Sequence, residues 1–229
     1  LRLLVECKRT EYPYVFFANA VDKKIPHFPH VYAIPTVRIS DDSGTRENLT
    51  ASKMLGLDDE PFVDECVVCS TFVRVIARKN GNPEVSGDEQ FNKIVLPLAK
   101  ARDHITFTGG SNERVLNPTL LISLCVVDGP LILVESHSKA GDPVLCPWVR
   151  IFRREAIATE YPHESRQRFY AIDVVHAEFF EAFVNNHLTP FADLFAQRAI
   201  EMEYVLRHGG RVNNIENWTR EESLDQPLS

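Results

Sequence analysis

Glu6 and Lys8 stand one residue apart at the end of an otherwise aliphatic stretch, Leu-Arg-Leu-Leu-Val-Glu-Cys-Lys-Arg over residues 1–9. In an extended chain, side chains alternate between faces. Leu1, Leu3, Val5 and Cys7 then share one face, and Arg2, Leu4, Glu6 and Lys8 share the other. A carboxylate and an ammonium on an apolar strand need water, a partner or a metal, because burying either one bare is costly. The bland reading is a charged strand end left in solvent. The chemical reading is hydrolysis of a phosphodiester. That reaction uses a metal to polarise the phosphoryl oxygen and activate water. Magnesium takes oxygen ligands and needs only one or two carboxylates. A nearby cation positions the water or stabilises the charge that grows on phosphorus.

The stretch Val-Glu-Cys-Lys-Arg resembles the second half of the PD-(D/E)xK signature of the restriction-endonuclease-like nucleases. The likeness is strongest over residues 3–9. A helix at 86–104, a strand at 119–127, and a strand Arg-Phe-Tyr-Ala-Ile-Asp-Val-Val before a helix agree with it. The resemblance implies an α/β fold with a mixed central sheet flanked by helices. It also implies DNA cleavage that depends on Mg2+ or Mn2+. Glu6 would be a catalytic metal ligand, the backbone carbonyl of Cys7 a second metal oxygen, and Lys8 the catalytic cation. Family members carry a further aspartate on the preceding strand, and only five residues precede Glu6 here. Asp22, Asp41 and Asp42 all follow the motif and do not fill that position. The resemblance therefore implies either a ligand upstream of Leu1 or a degenerate relative that binds without cutting.

Other constellations compete for attention. Cys66-Val-Val-Cys69 has the spacing of half a zinc or redox site. No second pair follows, and paired valines suit a core strand better. A cluster would need Cys66, Cys69, Cys125 and Cys146 to converge. His27 and His30 lie three apart among prolines and aromatics, where solvated histidines are the expectation and a metal site the alternative. His176 lies near a helix start and fits a capping or a core role, and Asp173 fits a structural role. Glu135 and His137 share a strand face, which opens a third reading as a small-molecule enzyme. Arg9, Lys23 and Lys24 are the candidate phosphate contacts, with Arg78-Lys79 and the Arg-Ile-Phe-Arg-Arg-Glu run from 150 behind them.

Composition bounds these readings. The chain has 229 residues, a net charge of −7, 44% hydrophobic residues and 25% charged ones. That is ordinary for a globular protein with a real core. The charge argues against nucleic-acid binding through net charge but leaves room for a local basic face. Five scattered cysteines do not make a secreted disulfide framework, so a reducing cytoplasm is expected. No apolar run approaches a membrane span and no signal-peptide pattern is present. DNA is the expected partner, a membrane is not, and self-association is left open.

The elements that must position these residues alternate between strand and helix, which predicts an α/β class. Residues 1–210 are expected to form one domain whose N-terminal part lies upstream, and 211–229 a polar tail. Residues 12–21 predict a strand or tight return, and the proline-rich 22–35 a loop with an edge strand. Residues 40–61 predict a polar surface excursion. Cys66 opens a strand that ends at Asn80-Gly81-Asn82-Pro83. Ser86 with Glu89 reads as a capping box for the helix 86–104, kinked at Pro97. Two buried strands flank an Asp128-Gly129 turn, the first covered on both faces. Strands at 143–156 and 168–177 follow. Two closing helices come next, the second with Thr189 as N-cap, Pro190 in the first turn and Gly209-Gly210 at its end.

Overall fold

β-branched and aromatic runs set the strands. In the computed structural model, residues 1–18, 28–32, 37–40, 46–49, 55–57, 60–64, 66–77, 81–87, 91–108, 118–135, 143–157 and 166–207 are described. The strands are β1 (Arg2–Arg9), β2 (Tyr14–Ala18), β3 (His30–Tyr32), β4 (Val37–Ser40), β5 (Arg46–Leu49), β6 (Val68–Ala77) and β7 (Pro83–Ser86). They continue with β8 (Thr119–Asp128), β9 (Leu131–Glu135), β10 (Val144–Leu145), β11 (Trp148–Ile157) and β12 (Arg166–His176). The α-helices are α1 (Pro61–Asp64), α2 (Leu96–Thr108), α3 (Phe180–Phe183) and α4 (Thr189–Arg207).

One mixed, ten-stranded sheet runs β1-β8-β12-β11-β6-β2-β9-β10, with β3 added on β8 and β7 on β6. β4 and β5 pair separately. β1, β8 and β12 run parallel to one another, and β11 is antiparallel to β12. The α/β class and mixed sheet agree with the sequence reading.

Two parallel pairs explain the curl of this sheet. β1 pairs with β8, and their direct continuations β2 and β9 pair with each other. Thr10 N donates to Asp128 O at 2.9 Å and Tyr14 N to Pro130 O at 3.0 Å, so the ladder carries through the junction. The two pairs are halves of one bent ribbon. Because that ribbon supplies both ends of the strand path, the sheet curls back toward itself. Gly129 sits at the bend, where a Cβ would fall inside the shell of Thr10 O and Cγ2. Asp128-Gly129 therefore turns a ribbon rather than closing a hairpin, and β8 and β9 do not pair with each other. The two buried strands expected on either side of this turn are present.

Each face of the sheet holds a core. Inside the curl lie Tyr14, Phe16, Phe72, Cys125, Val127, Val149 and Ile172, plugged by Ile94, Val95 and Leu98. The other face packs Leu120, Ile122, Leu124 and Val175 against Phe183, Leu188, Phe191 and Phe195. Leu55 and Leu57 are fully buried there, so the end of the presumed surface excursion belongs to the core.

Both helical stretches depart from the expected boundaries. Ser86 lies in β7, opposite Arg74, rather than capping a helix. From Phe91 the described chain is helical, as a π-segment over Phe91–Val95 and as α2 from Leu96. Pro97 lies inside this helical run, as expected, just past the π-segment and without an N–H to give to the ladder. α2 lies across β1 and β8, as expected of that helix. After β12 the path is helical from Ala177 to Arg207 through a π-segment at Val184–Leu188. Thr189 is helical and its N–H reaches Val184 O, five residues back, so it is not an N-cap. Gly209-Gly210 and the tail from 211 lie outside the described residues.

Candidate functional site

Strand alternation places Glu6 and Lys8 together, as their spacing demands. Glu6 is in register with Cys125 and Lys8 with Val127. Both neighbours belong to the core inside the curl, and Leu4 packs against it. The two charged groups therefore project toward the inside, beyond the sealed apolar part. Lys8 Nζ donates to Glu6 Oε1 at 2.6 Å, with side-chain exposures of 27% and 31%. Of the alternatives that the sequence leaves open, the structure takes pairing. Cys7, between them, faces outward. The aliphatic face of this segment is the exposed one: Leu1, just before β1, and Leu3 and Val5 within it keep 52%, 41% and 47% of their surface.

Thr10 ends this segment and organises the bend. Its hydroxyl donates to Tyr12 O at 3.0 Å and accepts from Tyr12 N at 3.0 Å. It also accepts from Arg74 Nε at 3.1 Å, and the Arg74 guanidinium stands 5.8 Å from the centre of the Tyr12 ring. Arg74 is opposite Tyr14 on β2, so it faces the inside of the curl. Burial pushes the Tyr14 hydroxyl above its usual range, and the charge of Arg74 opposes that shift. Burial likewise pushes the Cys125 thiol up to about 12, against the pull of Lys8.

Neither Arg74 nor Thr10 stands out in the sequence. The reason is a β-bulge. Ala18 pairs with Cys69 and Phe17 with Thr71, which leaves Ser70 as an extra residue in β6. A bulge inverts the alternation beyond it. Cys69 and Phe72 both point into the curl because of it, and Arg74 follows Phe72.

The other candidates scatter. Arg9 is on the opposite face of β1, its side chain 91% exposed, 3.4 Å from Asp128 Oδ2. Lys23, Lys24, His27, Arg78, Lys79 and His137 lie outside the described residues, as do Asp22, Asp41 and Asp42. His30 is half-buried, with Nε2 3.0 Å from Arg102 Nη1. An arginine only donates, so that nitrogen accepts and is occupied. His176 caps the helix after β12, its Nδ1 accepting from Glu178 N at 3.2 Å.

Cys66 and Cys69 are buried beside or within β6, and burial pushes both thiols up to about 12. They behave as core residues. Arg150, read as a possible phosphate contact, is instead fully buried and ion-paired with Asp173. Asp173 has the structural role expected of it. A cleft of about 390 Å³ lies between Leu131, Leu145, Cys146, His176, Glu178 and Phe179. It includes neither Glu6 nor Glu135.

Among the described residues, no three His, Cys, Asp or Glu side chains converge as a metal cage. What β1 offers is one carboxylate and a backbone carbonyl. Those oxygens suit a hard divalent ion that completes its shell with water and phosphate oxygens. They do not suit a closed structural zinc site. Among the described residues, no helix is long and apolar enough to cross a membrane. Comparison with known family models, curated proteins and solved structures found no match for this chain.

Proposed function

We propose that this chain is a metal-dependent phosphodiesterase that acts on DNA in the cytoplasm, with a restriction-endonuclease-like sheet. The single observation behind this reading is the placement of Glu6 and Lys8 at consecutive same-face positions of β1, beside the enclosed core. Glu6 Oε1 holds the ammonium of Lys8, which leaves Oε2 and the Cys7 carbonyl as hard oxygens for Mg2+ or Mn2+. The bound ion would polarise the phosphoryl oxygen and acidify a water. Lys8 then has two tasks. It orients the Glu6 carboxylate in the free protein, and it meets the negative charge that develops on the phosphoryl group. The apolar wall formed by Leu4, Cys125 and Val127 limits water around both groups, which strengthens their fields.

A second reading is a nuclease-fold relative that binds nucleic acid without cutting it. It is favoured by the close Glu6–Lys8 pair, which neutralises the carboxylate without any metal.

Titration calorimetry with magnesium or manganese, run beside a DNA cleavage assay on the full chain, separates the two. Glu6→Ala should lower metal affinity and cleavage together. Lys8→Ala should keep metal binding and lose cleavage, because its charge acts mainly in the transition state. Partly exposed ion pairs contribute only about 0.2–1 kcal/mol, so neither change should unfold the protein. Equal metal affinity in the wild type and Glu6→Ala would end the site assignment. Metal binding without cleavage in the wild type would favour the second reading.

A further inference from the structure

We infer that Arg74 is a DNA-phosphate contact of the same site, holding a backbone oxygen next to the phosphodiester that Glu6 and Lys8 address. The inference rests on the reading of Glu6 and Lys8 as a DNA site.

Four observations lead to it. First, Arg74 faces the inside of the curl, as Glu6 and Lys8 do, by its register with Tyr14. Second, it is close to them along the bent ribbon. Its Nε is 3.1 Å from the hydroxyl of Thr10, two residues past Lys8. Two residues of extended chain span about 6–7 Å, less than the reach of the two long side chains combined. Third, the guanidinium is held from one side only. Thr10 takes Nε and the Tyr12 ring lies beneath, and among the described residues no carboxylate pairs with Arg74. The Nη groups remain for an incoming acceptor, in the fork geometry that suits phosphate.

Fourth, the placement is built rather than incidental. The Ser70 bulge turns Arg74 inward, and Thr10 is itself fixed by Tyr12 and by Asp128 O. An arginine held in this way loses little freedom on binding, which favours recognition. The chain carries a charge of −7 and Lys8 is offset by Glu6, so Arg74, with no acidic partner among the described residues, is a local exception to the overall field. An uncompensated cation at the site can meet a phosphate whatever the net charge of the chain.

The test is the fluorescence anisotropy of a short fluorescein-labelled DNA duplex with the full chain, in EDTA, over a series of salt concentrations. Without divalent metal the chemistry is silent and only binding is read. Arg74→Ala should weaken binding by about tenfold. It should also make the slope of log K against log salt shallower by about 1, the signature of one lost phosphate contact. Arg74→Lys should keep the slope at lower affinity. Thr10→Val, which releases Nε, should do the same. A residue that only braced the bend would leave the salt slope of the folded variant unchanged.

If the wild type binds and cuts DNA, and Arg74→Ala and Arg74→Gln both retain its slope and affinity, this inference fails alone. If the wild type binds no duplex even at low salt, the DNA reading and the inference fall together. If Arg74→Ala loses the slope while the wild type never cuts, Arg74 stands as a contact and the cleavage reading falls.

Discussion

Arg150 and Asp173 face each other across the β11–β12 ladder as a two-point ion pair, Nε to Oδ1 at 2.7 Å and Nη2 to Oδ2 at 3.2 Å. Both side chains are sealed from solvent. Nη1 donates to Phe62 O at 3.0 Å, and the guanidinium stands 4.0 Å from the centre of the Phe28 ring and 4.7 Å from that of Phe62. Burial works against both charges, and Asp173 holds Arg150 charged, above its usual range. The pair ties α1 to the centre of the sheet.

Removing one partner leaves a bare buried charge. Arg150→Ala or Asp173→Ala should each cost about 3–5 kcal/mol, read from urea denaturation. The double change Arg150→Met with Asp173→Leu should recover much of that loss, because an apolar pair leaves nothing unpaired. Single-variant losses below about 1 kcal/mol would show that the pair is not sealed.

Gly129 governs the bend that brings Thr10 and Arg74 beside Lys8. A methyl at Gly129 would press on Thr10 backbone, which has nowhere to yield without moving the ribbon. Gly129→Ala should therefore cost about 1–3 kcal/mol in denaturation. Gly87→Ala is the control, since a Cβ there meets only Val73 Cγ1 at an ordinary 3.7 Å. It should change stability by no more than about 0.5 kcal/mol. Equal losses in both would separate the effect from the Thr10 contact.

The buried thiols give a pH dependence with a definite sign. Burial moves Cys66, Cys69 and Cys125 from 9.0 to about 12. Between those values the folded chain holds protons that the unfolded chain releases. Their stabilising contribution is complete below pH 9 and is lost as pH rises toward 12. Stability from urea titrations should fall across that window, and Cys125→Ala should flatten the fall. At neutral pH a thiol reagent should label the exposed Cys7 quickly and these three only on unfolding. Rapid labelling of Cys125 in the folded chain would contradict its burial.

How much of this was legible in advance follows from how local each determinant is. The shared face of Glu6 and Lys8 depends only on the two-residue period of a strand, and a few residues of sequence contain it. The strand character of β1, β6, β8, β11 and β12, and the cap at His176, are likewise written in short runs of side chains. The α/β class followed from their alternation with helices.

What only the tertiary structure decided is partner choice. Ser86 and Glu89 spell a capping box, yet Ser86 joins β7 because pairing with β6 there satisfies a whole ladder of backbone groups. Thr189-Pro190 spells a helix start, yet the helix runs through, because the aromatic core beneath Phe183, Phe191 and Phe195 is continuous. Asp128-Gly129 spells a hairpin, yet β9 turns to β2, since the bent ribbon encloses a core that a hairpin would leave open. Arg74 faces Lys8's side only because one extra residue, Ser70, is squeezed out of the β6 ladder. Short-range sterics act within a few residues and show in the chain. Register, bulges and closure minimise the free energy of strands far apart in sequence, so they appear only when those strands meet.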